Sequence, residues 1–380
     1  MRVAVLVSHP IQYYSPIFRV LAERCDLDVF YAQKATPAQQ SAAGFGEAFD
    51  WDMDLLAGYR ATFLTNVARD PGTDRFSGCD TPEIAQRLQG GRYDALLVVG
   101  WYLKCHLQAI FAAKRAGIPV LVRGDSHLDT PRTATKRAAK AVGMPLFLRL
   151  FDAALYVGVK SRGYYRRYGF PERRLFFSPH CVDTSHFAAR ATQEARMALR
   201  ARLGLSPQTK VALFAGKLLG HKRPLDLIEA CAIASGQGAH MTVLVAGSGP
   251  LEEQMRACAS ALNAPLHVLG FQNQSQMPAV YAAADVLALP SSGETWGLVC
   301  NEAITCGIPI VVSDAVGCGP DLAVNGVGRI FACGDAGALA EALLETMRTP
   351  PSPESLRELS SRYSPAAAAD GILSAVESFH

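Results

Sequence analysis

Residues 291–313 read SSGETWGLVCNEAITCGIPIVVS, and their order of elements decides the fold. The stretch starts where an apolar strand, Asp285 to Leu289, stops at Pro290. Two carboxylates follow, Glu294 and Glu302, eight positions apart. Gly293 and Gly297 flank a loop that turns into a helix expected over Leu298 to Cys306, which Gly307 and Pro309 close. Ile310 to Val312 is the next buried strand. A strand, a glycine-bearing loop and a helix start form an anion site, because unbonded N–H groups and the helix dipole point at the loop. One turn further on, Glu302 is placed to accept vicinal hydroxyls. The pattern suits a ligand with phosphate at one end and a diol at the other.

These residues resemble the E-x7-E motif of retaining glycosyltransferases of the GT-B fold, family four, also called group 1. The family pattern reads roughly E-G-F-G-L-x-x-x-E-A-x-x-x-G-x-P-V, and Glu294, Trp296, Gly297, Leu298, Glu302, Ala303, Gly307, Pro309 and Ile310 stand in matching places. The resemblance implies that Glu294, Trp296, Gly297 and Leu298 meet the donor sugar and its diphosphate, and that Glu302 takes the ribose hydroxyls. It also implies the architecture: an α/β chain of two Rossmann-like parallel-sheet domains facing across a cleft.

Working back from the central stretch, Val211 to Ala215 reads as a strand that ends in Gly216-Lys217-Leu218-Leu219-Gly220-His221-Lys222-Arg223-Pro224. Two cations five apart in a glycine-bounded loop before a helix suit a diphosphate. Relatives show G-R-L-x-x-x-K there, so Lys222 matches directly and Lys217 replaces an arginine, keeping the charge and losing the bidentate fork. Gly247-Ser248-Gly249-Pro250 resembles the family's G-x-G-P turn, and the loop at Gly270-Phe271 is where the family reads the nucleobase. Met277-Pro278 to Val286 matches the helix and strand under the central loop. Gly317 to Asp321 resembles a loop that usually ends in glutamate.

Earlier in the chain, Pro179 to Phe187 looks like the family's P-N-G-V-D-x-x-x-F junction, with His180 and Cys181 in place of Asn and Gly. Domains are therefore expected at residues 1–185, for the acceptor, and 186–360, for the nucleotide sugar. A C-terminal helix, 361–380, is expected to cross back to the first. The first domain opens with a strand, Arg2 to Ser8, a loop His9 to Pro16, a helix and a strand, the βαβ signature of a parallel sheet. Family members usually carry a glycine-rich loop here; this chain offers His9, Gln12 and Tyr13, which are expected to recognise the acceptor at the carboxyl ends of the strands. Further on, a weak strand is expected near Thr62 to Leu64, a helix starting at Asp80-Thr81-Pro82-Glu83, and strands at Ala95 to Val99, Val120 to Arg123, Ala153 to Val157 and Leu175 to Ser178. His127 follows the Val120 strand and matches by position a family histidine close to the donor sugar.

The chain has 380 residues, 49% hydrophobic and 19% charged, enough for two cores. No run approaches the roughly 18 apolar residues of a spanning helix, and Met1-Arg2 leads straight into VAVLV without a cleavage pattern, so a cytosolic protein is expected. Its ten cysteines lack a C-x-x-C pair and read as reduced, mostly buried thiols. The triplets Asp26-Leu27-Asp28 and Asp50-Trp51-Asp52 are not expected to bind metal: the first opens a strand and the second follows none. The net charge of +3 is uneven. Residues 1–185 hold 24 Lys and Arg against 17 Asp and Glu, with eleven of the cations between Arg132 and Arg174. That 132–174 segment is either a set of solvated helix faces or a peripheral membrane contact. No nucleic-acid partner and no cofactor beyond a nucleoside diphosphate sugar co-substrate are expected.

The expected activity is hexosyl transfer, with retention and without metal, to a saccharide or lipid-linked acceptor in surface polysaccharide or glycoconjugate synthesis. The catalytic group set is His127, Glu294 and Lys222. Two alternatives stand beside it: a sugar-nucleotide epimerase or hydrolase of the same fold, and a non-catalytic nucleotide-sugar-binding module.

Overall fold

Arg2–Val7 (β1), Asp26–Tyr31 (β2), Arg60–Phe63 (β3), Ala95–Val99 (β4), Val120–Gly124 (β5), Ala153–Tyr156 (β6) and Leu175–Phe177 (β7) are short, mostly apolar strands joined through helices, and they form one sheet in the order β3-β2-β1-β4-β5-β6-β7. Every pairing in it is parallel. A parallel sheet covered by helices on both faces needs apolar side chains on both, and for that reason Val3 to Val7 form an unbroken buried run. The computed structural model of the protein describes residues 1–34, 51–129 and 133–380. Asp50 of the second acidic triplet, Gly44, Gly46 and Arg132 lie outside the described residues.

The chain divides into two units. Residues 54–180 and 364–380 pack with the N-terminal strands as the first, and residues 181–363 make up the body of the second. The junctions thus fall at His180/Cys181 and Tyr363/Ser364, a few residues from the expected 185 and 360. The last helix, Pro365–Glu377, packs on the first helix, Ser15–Arg24, within the first unit, and Arg24 pairs with Asp370 at 2.5 Å. Gly371 is required there, since a Cβ would lie 1.8 Å from the Phe177 carbonyl oxygen.

In the second unit, Lys210–Ala215 (β8), Met241–Ala246 (β9), Leu266–Val268 (β10), Val286–Leu289 (β11), Ile310–Ser313 (β12) and Gly328–Phe331 (β13) form a parallel sheet ordered β10-β9-β8-β11-β12-β13. The strand order reverses between β8 and β11, so the loops leaving those strands part to opposite sides and open a crevice at their carboxyl ends. Each unit has its own core, one around Leu96, Val98 and Tyr164, the other around Phe214, Val245 and Leu343.

Two elements differ from expectation. The helix after Asp80 begins at Ile84, because Thr81-Pro82-Glu83 makes a turn whose Thr81 carbonyl accepts from Ile84 N and whose Glu83 carboxylate accepts from Thr65 N at 2.9 Å. A helix that the sequence reading lacks, Ala134–Leu148, carries Gly143 and Pro145, residues that weaken the helical signal. Asp26 and Asp28 are occupied by Arg2 and Arg60, and Tyr93 also donates to Asp28 at 2.8 Å. All ten cysteines are free thiols. Among the described residues, no helix is long and apolar enough to cross a membrane.

Candidate active site

At the switch point of the second unit the loops leaving β8 and β11 are tied together: the His221 carbonyl accepts from Ser292 N at 2.8 Å and from Ser292 Oγ at 3.2 Å. That clamp brings Lys222 Nζ onto Glu294 Oε2 as an ion pair with both side chains about one-fifth exposed. Lys217, half-buried in the same loop, feels both groups. Burial lowers its pKa first, Lys222 lowers it further, and Glu294 partly restores it. Two lysines and one carboxylate therefore share one patch, with a net positive charge that suits a diphosphate.

The Glu294 loop is also fixed from the other side. Glu294 N donates to Ala315 O at 3.3 Å, Gly317 N to Glu294 O at 2.9 Å, and Cys318 N to Trp296 O at 3.0 Å. Gly317 must lack a side chain, since a Cβ would sit 1.9 Å from the Thr295 carbonyl oxygen. Gly297, at φ +102, turns the chain into the helix Leu298–Thr305 through the left-handed region. In the first turn of that helix Cys300 N donates back to Gly297 O at 2.9 Å, which closes the turn onto the glycine.

Trp296 turns inward. Its indole N–H donates to Asn301 Oδ1 at 2.7 Å, and its ring packs on Tyr363 at 5.9 Å between centroids. Tyr363 in turn donates to Asp321 Oδ1 at 2.9 Å. Trp296 thus braces the loop from behind. Glu302 is only 2% exposed, and its Oε2 accepts from the Tyr281 hydroxyl at 2.6 Å. The neighbouring loops close around the same strand ends: Leu218 N donates to Ser248 O at 3.0 Å and Gly247 N to Gly270 O at 2.8 Å. Gly249 and Phe271 are thereby held beside the lysine loop.

In the first unit, His9, Gln12 and Tyr13 lie half-buried in the loop after β1, with Ser8 Oγ 2.9 Å from His9 Nδ1. Burial lowers the His9 pKa. His127 is buried after β5, and its Nδ1 accepts from Asp129 N at 3.2 Å. That bond assigns the proton of the neutral ring to Nε2.

Sequence reasoning passed over Arg123. It is 1% exposed at the end of β5, where Nε donates to Ser178 Oγ at 3.1 Å and Nη2 to Pro179 O at 2.6 Å. Its guanidinium lies 5.2 Å from the centre of the Tyr14 ring. Arg123 therefore joins the loop after β1, the end of β5 and the segment before the first junction. Beside it, His180 Nε2 stands 3.7 Å from Asp125 Oδ2. The available signal was a single arginine at the end of the apolar run VLVR.

Residues 196–363 match the family described as glycosyl transferases group 1. The chain is 27% identical over 290 residues, 71% of its length and 72% of the relative's, to the GDP-mannose-dependent alpha-(1-6)-phosphatidylinositol monomannoside mannosyltransferase of Mycolicibacterium smegmatis. It is 33% identical over 191 residues, 47% of this chain and 42% of the relative, to the D-inositol 3-phosphate glycosyltransferase of Segniliparus rotundus. The chain spans less than half the length of that relative, and 46% of a Corynebacterium glutamicum mannosyltransferase of the same phosphatidylinositol monomannoside class. Among solved structures, Anabaena Alr3699/HepE in complex with UDP superposes with a TM-score of 0.74 at 18% identity over the whole of both chains, a likeness of fold. The second unit thus carries the match to glycosyl transferases group 1, and the chain as a whole has the GT-B architecture of two Rossmann-like parallel-sheet units.

Proposed function

We propose that the protein transfers a hexosyl group from a nucleoside diphosphate sugar to a hydroxyl of a saccharide or lipid-linked acceptor, retaining the anomeric configuration. The observation that carries this reading is the Lys222–Glu294 pair at the switch point of the second unit, with Lys217 beside it and the Gly297 helix start next to it. The UDP-bound fold relative and the sequence relatives, a GDP-mannose-dependent mannosyltransferase and a D-inositol 3-phosphate glycosyltransferase, support it.

The chemical demand is charge stabilisation. The bond from the sugar C1 to the diphosphate oxygen breaks, and the electron pair leaves with that oxygen. Lys217, Lys222 and the helix N–H groups offset the developing negative charge, so no metal is called for in this scheme. Glu294, aligned by Lys222, meets the sugar hydroxyls, and Glu302 the ribose. The acceptor oxygen attacks C1 on the face the diphosphate leaves, its proton passing to the departing phosphate oxygen. In this scheme His9, Gln12 and Tyr13 recognise the acceptor, and His127 keeps the role that the family resemblance implies for it. A cytosolic setting, with glycoconjugate synthesis as its purpose, fits this scheme.

The test is to screen nucleoside diphosphate sugars by thermal shift, then to follow transfer, epimerisation and hydrolysis of the stabilising donor for the parent, Lys222→Ala and Glu294→Gln. The reading expects an acceptor-dependent product and a loss on the order of a hundredfold for each variant. Epimer or free sugar as the sole product, or near-parent rates in both variants, overturns it.

A further inference from the structure

The lysine loop meets its helix through a backbone conformation that its residues resist. Gly220–Lys222 forms a short helical turn, with Lys222 N on Leu219 O at 2.9 Å, and the helix Pro224–Gly236 starts after one further residue, Arg223. Pro224 disfavours right-handed helical backbone in the residue before it, so turn and helix do not merge. Arg223 is left at φ +50 and ψ +48, in the left-handed region that a residue with a Cβ enters only at a cost. Among the described residues three other non-glycines have positive φ: Asn263 and Asn325, of a type that enters that region readily, and Arg92, which ends a helix. Of the four, Arg223 adjoins the candidate site.

Strain at such a place persists only where the surroundings hold it. Here the side chain supplies the hold. Arg223 Nε donates to Asp226 Oδ2 at 2.7 Å, and Asp226 is 6% exposed in the first turn of the helix, where the dipole favours a carboxylate. The same guanidinium covers Gly334 in the loop after β13, so closely that a Cβ there would lie 3.2 Å from Nη2. Cys333, next in the chain, donates its N–H to Asp314 Oδ1 at 3.1 Å and rests its thiol 3.8 Å from the Ser291 carbonyl oxygen. Ser292 then returns to the His221 carbonyl through the clamp between the loops after β8 and β11. These contacts form a closed circuit that fastens the chain on either side of Lys222, at His221 and at Arg223.

We propose that Arg223 is a positioning residue for Lys222: held in the left-handed region by Asp226 and by the backbone at Gly334, it fixes the direction in which the Lys222 ammonium leaves the loop, towards Glu294 and the diphosphate. This role rests on the reading that Lys222 holds the diphosphate. Arg223 acts through its neighbour and needs no contact with the ligand.

The experiment is titration of the full chain with UDP, GDP and ADP, beside thermal melts, for the parent, Arg223→Gly, Lys222→Ala and the double variant. Glycine occupies positive φ without cost, so Arg223→Gly keeps the turn and removes the anchor. Its melt is expected at or above the parent value, while its dissociation constant for the diphosphate that the parent binds rises about fivefold or more. In the Lys222→Ala background the same change should alter affinity by less than about twofold, since the group it aims is gone. Asp226→Asn, which keeps the shape and drops the charge, is expected to weaken binding in the same direction. A parent-like dissociation constant for Arg223→Gly overturns the proposal and leaves the transferase reading in place. So does an equal loss in the Lys222→Ala background, which would mean that Arg223 meets the diphosphate itself. A melt that falls together with the affinity overturns it too, since Arg223 would then serve the fold alone. A parent that binds none of the three nucleotides removes the transferase reading and this role with it.

Discussion

Tyr281 and Glu302 meet inside the second unit, hydroxyl to carboxylate at 2.6 Å, with Glu302 2% exposed and Tyr281 fully buried. A carboxylate that deep is stable as an anion only while donors hold it. Tyr281 is itself steadied by the Phe187 ring, 6.2 Å away edge to face, which roots the segment after the first junction against the helix Met277–Ala283. If Glu302 takes ribose hydroxyls, Tyr281 sets the angle at which it does so. Tyr281→Phe is expected to lose about 1–3 kcal/mol of stability by removing a short hydroxyl donor from a buried carboxylate. It should also raise the donor KM more than it lowers kcat. The check is a thermal-shift comparison of ribo- and 2′-deoxynucleoside diphosphates. The parent should favour the ribose form, Glu302→Gln should erase the preference, and Tyr281→Phe should shrink it.

If Lys217 holds the diphosphate as proposed, it gives the reaction a pH signature. Its pKa is below the ordinary lysine value, chiefly through burial and then through Lys222. The ammonium is the form that binds diphosphate, so donor affinity is full at low pH and falls as pH rises through the lowered pKa. The alkaline limb of kcat/KM for the donor is therefore expected below the usual lysine range. Lys217→Arg, whose cation does not deprotonate, should move that limb upward. An alkaline limb that stays in place in the arginine variant contradicts the assignment.

Gly297 tests the anion-binding role proposed for the helix start. With φ at +102 and a built Cβ 2.8 Å from Leu289 Cδ2, alanine there must strain the backbone and push on β11. Gly297→Ala is expected to cost about 1–3 kcal/mol of stability and to weaken nucleoside diphosphate binding more than Gly293→Ala does, since Gly293 has nothing within 4 Å of such a Cβ. Denaturation midpoints together with diphosphate titration read both effects.

Much of the second unit is written locally. Strands such as Val211 to Ala215 and Met241 to Ala246 are apolar runs because helices cover both faces of their sheet, and Glu294, Gly297 and Glu302 announce themselves by spacing on one loop and one helix. Side-chain pairings across elements are not written that way. Nothing near Glu302 in sequence points to Tyr281, 21 residues earlier, and nothing in the indole of Trp296 says that it faces Tyr363 and not the ligand. Arg123 was hidden for the same reason, since its partners Ser178 and Pro179 arrive from another strand end. The helix at Ala134–Leu148 escaped because Gly143 and Pro145 oppose helix locally, whereas packing of Phe147 and Leu148 favours it.

His106 makes the first unit sensitive to acid. The ring is 1% exposed on the helix Lys104–Arg115, its Nδ1 accepts from Leu103 N at 3.3 Å, and its Nε2 has no partner among the described residues. Burial alone lowers its pKa from 6.5 to about 4. In the unfolded chain it titrates at the ordinary value, so between pH 6.5 and about 4 the unfolded state binds a proton that the folded state refuses. Stability is full above the upper value and declines as pH falls through this window, by on the order of 3 kcal/mol from this residue. His106→Asn removes the titration. The variant is expected to be less stable than the parent at neutral pH, because it loses packing, yet to show a flatter dependence of its denaturation midpoint between pH 6.5 and 4. Parallel curves for parent and variant across that window would mean that the ring is solvated and charged in the folded protein, contrary to its place in the core.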